Sequence, residues 1–418
     1  MHFEFDVDVL NRFLRYVKYD TQSDPASTTF PSTEGQLVLL RQLAHELESI
    51  GASDVDMDEH GYVTATIPAN VDADRVPVIG FLAHVDTSPE MSGRNVVPIV
   101  HQAYQGGDLS LPDDPNAVIR VSDNPLLKAQ LGNDIVTASG KTLLGADNKA
   151  GVAEIIAATE YLLEHTEVPH GTIRIAFTPD EEIGRGTLYF DIEKFGAKYA
   201  YTVDSETVGQ LDAETFSADG ALVTFTGFNT HPGNASGKMI NAIKVAADFI
   251  NRLPKDALSP ETTANRQGFV HPISMNAGVE KTSVTFILRD FDEKGLKVKR
   301  ELLQMLAETS VGHFPGAKVD FEFTEQYRNM HDVLERHPIV LENARDAIRE
   351  AGLLPLEEAI RGGTDGSQLS AAGLPTPNIF AGEHNYHSRF EWVSVQDMEK
   401  SVEVIVRLAS LFVERPGL

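Results

Sequence analysis

The segment VPVIGFLAHVD, residues 76–86, constrains the fold most, because it is apolar almost throughout until His84. A strand with one solvated face alternates apolar and polar side chains, whereas a continuous apolar run is typical of a strand buried on both faces. Helical patterns precede it at 8–19 and 32–51, and strand patterns follow at 171–182 and 197–206. This alternation predicts an α/β fold with a mostly parallel sheet.

The strand pattern changes after about Asp212. The segments GALVTFTGF, EKTSVTFILRDF and AKVDFEFTEQY alternate in period two, as strands with one solvated face do, and two helical segments lie between them. The α/β rhythm resumes after Tyr327. A single core stops growing near ~250–300 residues, so a chain of 418 residues is expected to form two domains. We predict a catalytic domain from residues 1–212 and 328–418, interrupted by an inserted α+β lid domain at 213–327.

Composition excludes several classes of partner and site. Lys and Arg total 35 and Asp and Glu total 62, which gives a net charge of −27 that disfavours nucleic acid and anionic membranes as partners. The absence of cysteine excludes disulfides and thiolate metal sites. No apolar run reaches the ~18 residues of a membrane helix, and the N-terminal segment lacks the pattern of a signal peptide. We therefore expect a cytoplasmic protein.

Acids and histidines follow the predicted strands at their carboxyl ends, where open α/β sheets form ligand sites. The segments are AHVD, GADNK, DEE and VDS, and a histidine-rich loop, GEHNYHSRFEW, follows the last strand. Imidazole and carboxylate ligands without thiolate suit zinc, manganese or cobalt. The candidate ligands are too many for one tetrahedral ion and suit two ions that share a carboxylate: His84, Asp147, Glu182, Asp204 and one late histidine.

The adjacent acids of DEE then have separate tasks. Three neighbouring carboxylates repel one another unless a cation lies between them. In this interpretation Glu182 binds metal, and Glu181, one position earlier, takes a proton from the attacking water as general base.

The motifs in combination resemble those of the peptidase T family of tripeptide aminopeptidases, within the larger group of co-catalytic zinc exopeptidases and deacylases. The resemblance extends over nearly the whole chain in the family's order, through HVDTSPEMSGRNV, GKTLLGADNKAG, FTPDEEIG, YTVD, THPG, RDFD, IRGGTDGSQLS, GLPTPNIF and NYH. It implies a metal-dependent aminopeptidase that releases the N-terminal residue from tripeptides or other short peptides. A homodimer is a candidate assembly.

The family pattern implies specific metal ligands in this sequence. His84 and Asp204 would bind different ions, and Asp147 would bridge the two. Glu182 would join one ion, and His387 of NYH would join the other.

The resemblance also implies residues that act on the substrate or hold the ligands. Asp86 would orient the imidazole of His84, and Glu181 would be the general base. His231 of THPG would stabilise the oxyanion, while Arg289 of RDFD and Arg361 of RGGTDG would bind the substrate's carboxylate.

Four stretches depart from the family pattern. Asn148 replaces the second of two acids, and Ser205, Glu206 and Thr207 replace glycines after YTVD, which bears on strict selectivity for tripeptides. Glu383 and His384 replace glycine-rich sequence before NYH, and SRFEW follows it. His384 is therefore an alternative ligand, and we favour His387 because it occupies the matching motif.

Purely structural roles are open for several of the candidates. His84 could be a core histidine, Asp147 a helix cap, and Arg289 a partner of Asp290 or Asp292, while the DEE acids could lie in a first helical turn, Asp204 in a turn and His231 in a loop. Alternative functions are a dipeptidase, carboxypeptidase or N-acyl amino acid deacylase with the same metal centre. A different class is an inactive peptide- or metal-binding protein, which would not need Glu181 as a base.

Overall fold

The structure is a computed structural model, and it describes residues 7–415. The outer ends of the first predicted domain, residues 1–6 and 416–418, lie outside the described residues, as does the start of the N-terminal segment that was compared with signal peptides.

The helices begin and end as follows: α1 (Val9–Tyr16), α2 (Glu34–Ser49), α3 (Ala146–Glu164), α4 (Ile192–Phe195), α5 (Ala242–Arg252), α6 (Glu293–Gly312), α7 (His331–Glu335), α8 (Pro338–Glu350), α9 (Asp365–Ala371) and α10 (Val395–Glu414). None of these helices in the described part of the chain combines the length and apolar character needed to cross a membrane.

The strands, in chain order, are β1 (Ser53–Met57), β2 (Val63–Ile67), β3 (Ile79–His84), β4 (Ile99–His101), β5 (Leu109–Ser110), β6 (Val118–Ile119), β7 (Ile135–Thr137), β8 (Ile173–Thr178), β9 (Tyr199–Ser205), β10 (Gln210–Thr215), β11 (Ser217–Thr226), β12 (Phe269–Ala277), β13 (Lys281–Asp290), β14 (Lys318–Tyr327), β15 (Leu356–Ile360), β16 (Asn378–Phe380), β17 (Glu383–His384) and β18 (Trp392–Ser394).

An eight-stranded sheet with the order β1-β2-β8-β3-β9-β16-β10-β15 forms the centre of the larger unit. The four middle strands β8, β3, β9 and β16 are parallel, whereas β1 and β2 on one side and β10 on the other pair antiparallel. The α/β class expected from the sequence is therefore confirmed, with the parallel pairing confined to the middle of the sheet.

Helices cover both faces of these middle strands. Neighbouring residues of a strand point to opposite faces, and Ala200 of β9 packs in an apolar cluster with Phe195 of α4 and Leu369 of α9. The next residue, Tyr201, donates a hydrogen bond to the carbonyl oxygen of Val340 in α8 (2.7 Å). All six residues of β3 are buried, as its continuous apolar sequence requires.

The smaller unit contains an antiparallel sheet with the order β12-β13-β11-β14. Alternate residues of β13 are buried, and they form an apolar core with residues of α5 and α6, including Phe249, Phe286 and Leu303. This is the one-sided burial that a period-two pattern predicts.

The chain divides into two compact units. The first contains the residues up to Ala213, Asp332–Glu358 and the residues from Thr364 onwards. The second contains Glu214–His331 and Ala359–Gly363. The sequence pattern placed residues 359–363 with the catalytic domain. They belong instead to the second unit, because the backbone N–H of Phe216 donates to the carbonyl of Ile360 and the guanidinium of Arg361 holds a loop of that unit.

Ser32 and Thr33 ahead of Glu34 to Gln36 match the sequence pattern of a capping box, but helix α2 begins without one. Thr33 occupies the cap position, but its side chain does not accept a backbone N–H; it donates instead to the carbonyl oxygen of Gln22 (2.9 Å). The hydroxyl of Ser32 donates to the carboxylate of Asp180. The local pattern therefore does not form a cap, because both hydroxyls donate to partners farther away in sequence.

Candidate metal centre

Three parallel strands bring the predicted acids and His84 to one edge of the central sheet. β3 lies between β8 and β9, and His84 at the end of β3 is paired with Thr178 at the end of β8. The chain leaves β8 into a short 3₁₀ helix, Glu181–Ile183, while Asp204 lies at the end of β9. The carboxyl ends of adjacent parallel strands share one edge, so this topology explains why residues distant in sequence converge.

The first group of possible metal ligands consists of His84, Asp147 and Asp204. Nε2 of His84 lies 3.0 Å from Oδ1 of Asp147 and 3.5 Å from Oδ1 of Asp204. Burial disfavours a charged imidazole, but the charge of Asp204 and hydrogen bonds to Asp147 and Asp204 outweigh it and hold the pKa of His84 well above its ordinary value.

The second group consists of Asp147, Glu182 and His387. Nε2 of His387 lies 3.1 Å from Oδ2 of Asp147 and 2.8 Å from Oε2 of Glu182. The other carboxylate oxygen of Glu182, Oε1, is buried and has no hydrogen-bond partner among the described residues. An unpartnered buried oxygen is costly, and a bound cation would satisfy it.

Asp147 belongs to both groups and gives one oxygen to each. This is the arrangement of a carboxylate that can bridge two cations. The grouping differs in one respect from that implied by the resemblance: His84 lies with Asp204, and Glu182 lies with His387. The reason is topological, because β3 and β9 are neighbours in the sheet, whereas the loop of His387 faces the 3₁₀ helix of Glu182.

Asp86 contacts both sides of the cluster. Its Oδ1 lies 3.2 Å from Nδ1 of His84, and its two oxygens accept the backbone N–H groups of Glu181 (3.0 Å) and Glu182 (3.1 Å). Asp86 is fully buried. It therefore directs Nε2 of His84 toward Asp147 and Asp204, as predicted. It also fixes the backbone of the DEE segment, which was not predicted.

The three acids of DEE point in different directions. Asp180 accepts hydrogen bonds from the backbone N–H of Ser32 (2.6 Å) and the side chain of Gln36 (2.7 Å), away from the ligand groups. Glu182 faces His387. The carboxylate of Glu181 forms no hydrogen bond with any other residue of the described chain. Their mutual repulsion is thus relieved by a polar contact for one acid and by a histidine for another.

The electrostatics of the ligand groups favour a cation. Within residues 7–415, Asp147, Glu182 and Asp204 form ion pairs with histidines alone and with no Lys or Arg. Burial, reinforced by the charge of Asp147, raises the pKa of Glu182 to about 8. Burial opposes the charge of His387, but hydrogen bonds to Asp147 and Glu182 outweigh it and raise its pKa to about 11.

The pKa values of Asp147 and Glu181 are shifted in opposite directions. Burial opposes ionisation of Asp147, but hydrogen bonds from His387 and His84 outweigh it, so the pKa of Asp147 lies below its ordinary range. Burial raises the pKa of Glu181 well above its ordinary value, with some opposition from the charge of His84. A raised pKa makes the ionised carboxyl group a stronger proton acceptor, which suits a general base.

His384 does not join either ligand group. Its ring stacks on Trp392 at a centroid distance of 4.0 Å, and its Nδ1 lies 3.4 Å from Oε1 of Glu206. The structure thus brings His387 rather than His384 to the cluster. Glu206, one of the residues that depart from the family pattern, has a side chain that is 39% exposed and therefore reaches solvent beside this buried histidine.

Sequence reasoning assigned no role to three further acids around the groups: Asp365, Glu383 and Glu391. Burial raises the pKa of Asp365 to about 7, although its Oδ2 accepts a hydrogen bond from Thr178 (2.7 Å). Oε2 of Glu383 is buried without a partner in the described chain. These acids lie in RGGTDG and GEHNYHSRFEW, segments that were singled out for other residues.

The other predicted substrate residues belong to the second unit. His231 is exposed, and its Nδ1 accepts the backbone N–H of Gly233 (3.2 Å). Arg289 pairs with neither Asp290 nor Asp292; its Nη1 donates to Gln326 (2.9 Å), and its guanidinium lies 5.4 Å from the ring centroid of Tyr327.

Arg361 is engaged within the second unit. Its guanidinium donates to the carbonyls of Asn265 (2.6 Å) and Gln267 (2.8 Å) and to the hydroxyl of Thr263 (3.0 Å). It also lies over the ring of Phe216, 5.1 Å from the centroid. A substrate carboxylate would have to displace these contacts, so they favour a structural role for Arg361.

Comparison with known proteins identifies the family. The sequence profile of "Peptidase family M20/M25/M40" matches residues 144–411, which is more than half of the chain. The chain belongs to this family. It is 48% identical to Peptidase T of Bacillus pumilus over 408 residues, covering 98% of this chain and 99% of that protein. It is 46% identical to Peptidase T of Caldanaerobacter subterraneus over 404 residues, covering 97% and 98%. The resemblance seen in the motifs is confirmed.

Solved structures show the same fold. Aminopeptidase PepT from Bacillus cereus superposes with a TM-score of 0.73 at 22% identity, covering 97% of this chain and 98% of that one. A dinuclear metal binding peptidase of the M20 family from Bacillus subtilis superposes with a TM-score of 0.66 at 15% identity, covering 97% and 98%.

Proposed function

We propose that the chain is a metal-dependent aminopeptidase that releases the N-terminal residue from tripeptides and other short peptides. The observation that carries this proposal is the shared carboxylate of Asp147 between two ligand groups, with Glu181 beside them. Membership of a peptidase family and the identity of 46–48% to proteins named Peptidase T support the same activity.

The residues present fit two divalent cations. His84, Asp147 and Asp204 would hold one, and Asp147, Glu182 and His387 would hold the other. Both histidines direct Nε2 to Asp147 while Nδ1 faces another carboxylate, Asp86 or Glu90, which is the usual orientation of a metal-binding imidazole. The unpartnered oxygen of Glu182 gives a second reason for a cation. We propose zinc, with manganese or cobalt as alternatives, because the ligands are imidazole and carboxylate without thiolate.

Two such cations supply Lewis acidity, which polarises a peptide carbonyl and makes water more acidic. The chain supplies the proton transfer. Glu181 accepts a proton from the water that attacks the scissile carbonyl carbon, and it returns a proton to the leaving nitrogen when the C–N bond breaks. Asp86 holds the backbone of Glu181 through its N–H group, which fixes the point from which the side chain of the base extends.

The assignment of substrate-binding residues stays a prediction. We propose that the first unit is catalytic and that the second is a lid that binds substrate. His231 is a candidate to stabilise an oxyanion, since its ring is exposed and, among the residues described, forms one hydrogen bond, with the N–H of Gly233. We propose Arg289 rather than Arg361 as the residue that binds the substrate carboxylate, because the guanidinium of Arg361 already donates to carbonyls of its own unit. A homodimer also remains a prediction.

The test is a peptide panel with metal-free and metal-loaded protein. We expect metal-loaded protein to convert tri-alanine to alanine and di-alanine, to cleave tetra-alanine more slowly, and to leave N-acetyl-tri-alanine intact. Metal-free protein should be inactive. Preferred cleavage of dipeptides would favour a dipeptidase, release of the C-terminal residue a carboxypeptidase, and hydrolysis of N-acetyl amino acids a deacylase. No hydrolysis of any substrate by protein that binds two ions would favour an inactive binding protein.

A further inference from the structure

The carboxylate of Glu391 accepts three backbone hydrogen bonds from the segment that carries Asp147. Its Oε2 accepts the N–H groups of Leu144 (2.6 Å) and Gly145 (2.7 Å), and its Oε1 accepts the N–H of Asp147 itself (3.0 Å). Only 1% of Glu391 is exposed. Neither the family pattern that we considered nor the ligand groups assigns a role to this residue.

These N–H groups lie where a local cap is missing. Helix α3 begins after Gly145, which has φ +83° and no side chain to cap the helix. Asp147 and Asn148 have non-helical backbone angles, so the first turn is irregular. A carboxylate 244 residues away in sequence therefore takes the place of a local N-cap and satisfies donors that a helix start leaves open.

Glu391 is itself held firmly. It precedes β18, whose residues Trp392 and Val393 pair with Thr137 and Val136 of β7. The loop before it is closed by hydrogen bonds from Asn385 to the carbonyl of Phe390 (3.1 Å) and from Ser388 to the carbonyl of Asn385. The same loop carries His387. One loop thus supplies a ligand of the second group and contacts the backbone of the shared ligand.

We infer that Glu391 is a positioning residue for Asp147, and through it for both metal ions. This inference rests on the proposed function. Asp147 must direct Oδ1 and Oδ2 to different groups at once, so a rotation of its backbone disturbs both. A carboxylate that fixes two N–H groups before Asp147 and the N–H of Asp147 itself restricts that rotation. Groups that hold metal ligands in this way typically change metal affinity by ~10–100-fold when mutated.

The test compares Glu391→Gln with wild type and with Glu154→Gln as a matched control. Glu154 is also buried in the first unit, two turns further along α3, where its carboxyl contacts the hydroxyl of Ser401 (2.6 Å) and no ligand. Both changes replace a buried carboxyl by an amide. Each full-length protein is stripped with a chelator and titrated with zinc by calorimetry, and bound zinc is measured by elemental analysis.

We expect wild type and Glu154→Gln to bind two zinc ions with the same affinity within about twofold. Glu391→Gln should bind both ions ~10–100-fold more weakly, since Asp147 serves both. In the metal-free proteins, the amides of Leu144, Gly145 and Asp147 should exchange hydrogen faster in Glu391→Gln only. Thermal unfolding of both variants separates this effect from a loss of stability, because a merely structural role would lower the melting temperature and leave zinc affinity unchanged.

If Glu391→Gln binds zinc as tightly as wild type does, and wild type binds two ions, this inference is overturned while the proposed function stands. If wild-type protein binds no zinc, manganese or cobalt, the proposed function fails as well. If Glu391→Gln does not fold, Glu391→Asp replaces it: the shorter carboxylate reaches fewer of the three N–H groups, so a smaller loss of affinity for both ions is expected, and unchanged affinity would refute the role.

Discussion

Replacing Glu181 by Gln is the most direct test of the proposed chemistry. The change keeps the size of the side chain and removes its ability to take up a proton. The carboxylate of Glu181 has no hydrogen-bond partner among residues 7–415, and its backbone is held by Asp86 through the N–H group, which the substitution retains. We therefore expect the fold and the two ligand groups to be preserved in Glu181→Gln.

Turnover should fall by at least ~10²–10⁴-fold, the range for loss of a positioned general base. Each tenfold loss corresponds to about 1.36 kcal/mol of activation free energy, so the barrier should rise by about 2.7–5.4 kcal/mol. The assay measures kcat for tri-alanine with saturating metal and, in the same samples, the metal bound per chain. Glu181→Gln should retain two ions, because Glu181 belongs to neither ligand group.

Glu193→Gln is the matched control, since it removes one negative charge from an exposed site on α4. It should keep wild-type turnover and metal content. Near-normal activity of Glu181→Gln would refute the assignment of the base. Loss of a metal ion from Glu181→Gln would show instead that Glu181 is a ligand, and the reasoning that separates it from Glu182 would be wrong.

Three other outcomes follow from the site and from the second unit. Glu182→Gln should lose one of two bound ions while the other remains, which elemental analysis of dialysed protein would show. Zinc binding to metal-free protein at pH 7 should release protons, because neighbouring carboxylates hold the pKa of His84 and that of His387 above the ordinary value despite burial, so the ion displaces protons from these imidazoles; apparent affinity should then rise with pH, and calorimetry in buffers of different ionisation enthalpy measures the number. Arg361→Lys should speed hydrogen exchange in residues 263–267 and leave metal content unchanged; wild-type exchange there would refute its structural role.

The sequence predicted those features that depend on local periodicity. The continuous apolar run ending at His84 predicted a strand covered on both faces, and all of β3 is buried. The period-two pattern predicted strands with one solvated face, and β13 shows that alternation. The order of strands was not predictable in this way, because hydrogen bonding between strands depends on partners far apart in sequence. The antiparallel pairing of β10 with β16 is an example.

The candidate ligands were found because strand ends are recognisable and because the motifs match a family. Neither the strand ends nor the motifs predicted which ligands lie together in each group. Whether Asp204 lies with His84 or with His387 depends on which strands are neighbours, and no local pattern in the sequence reports that. For the same reason the sequence did not reveal that Asp180 faces Ser32 at the start of α2, a contact across 148 residues.

Three buried acids outside the ligand groups accept backbone N–H groups, and two of them, Asp86 and Glu391, do so at residues of the site. Asp86, Asp180 and Glu391 each accept backbone N–H groups: those of Glu181 and Glu182, of Ser32, and of the segment before and at Asp147. A carboxylate that binds the backbone fixes the direction in which the next side chain leaves the chain, whereas a contact with the side chain alone leaves the backbone free to rotate. Each such acid is costly to bury and is stabilised by the N–H groups it accepts. Among the acids of this site, Asp147, Glu182 and Asp204 can hold cations, whereas Asp86 and Glu391 hold the backbone of Asp147 and of the segment with Glu181 and Glu182. Substitution of either kind should lower metal affinity, but only the second kind should also change hydrogen exchange in the loop it contacts when no metal is bound.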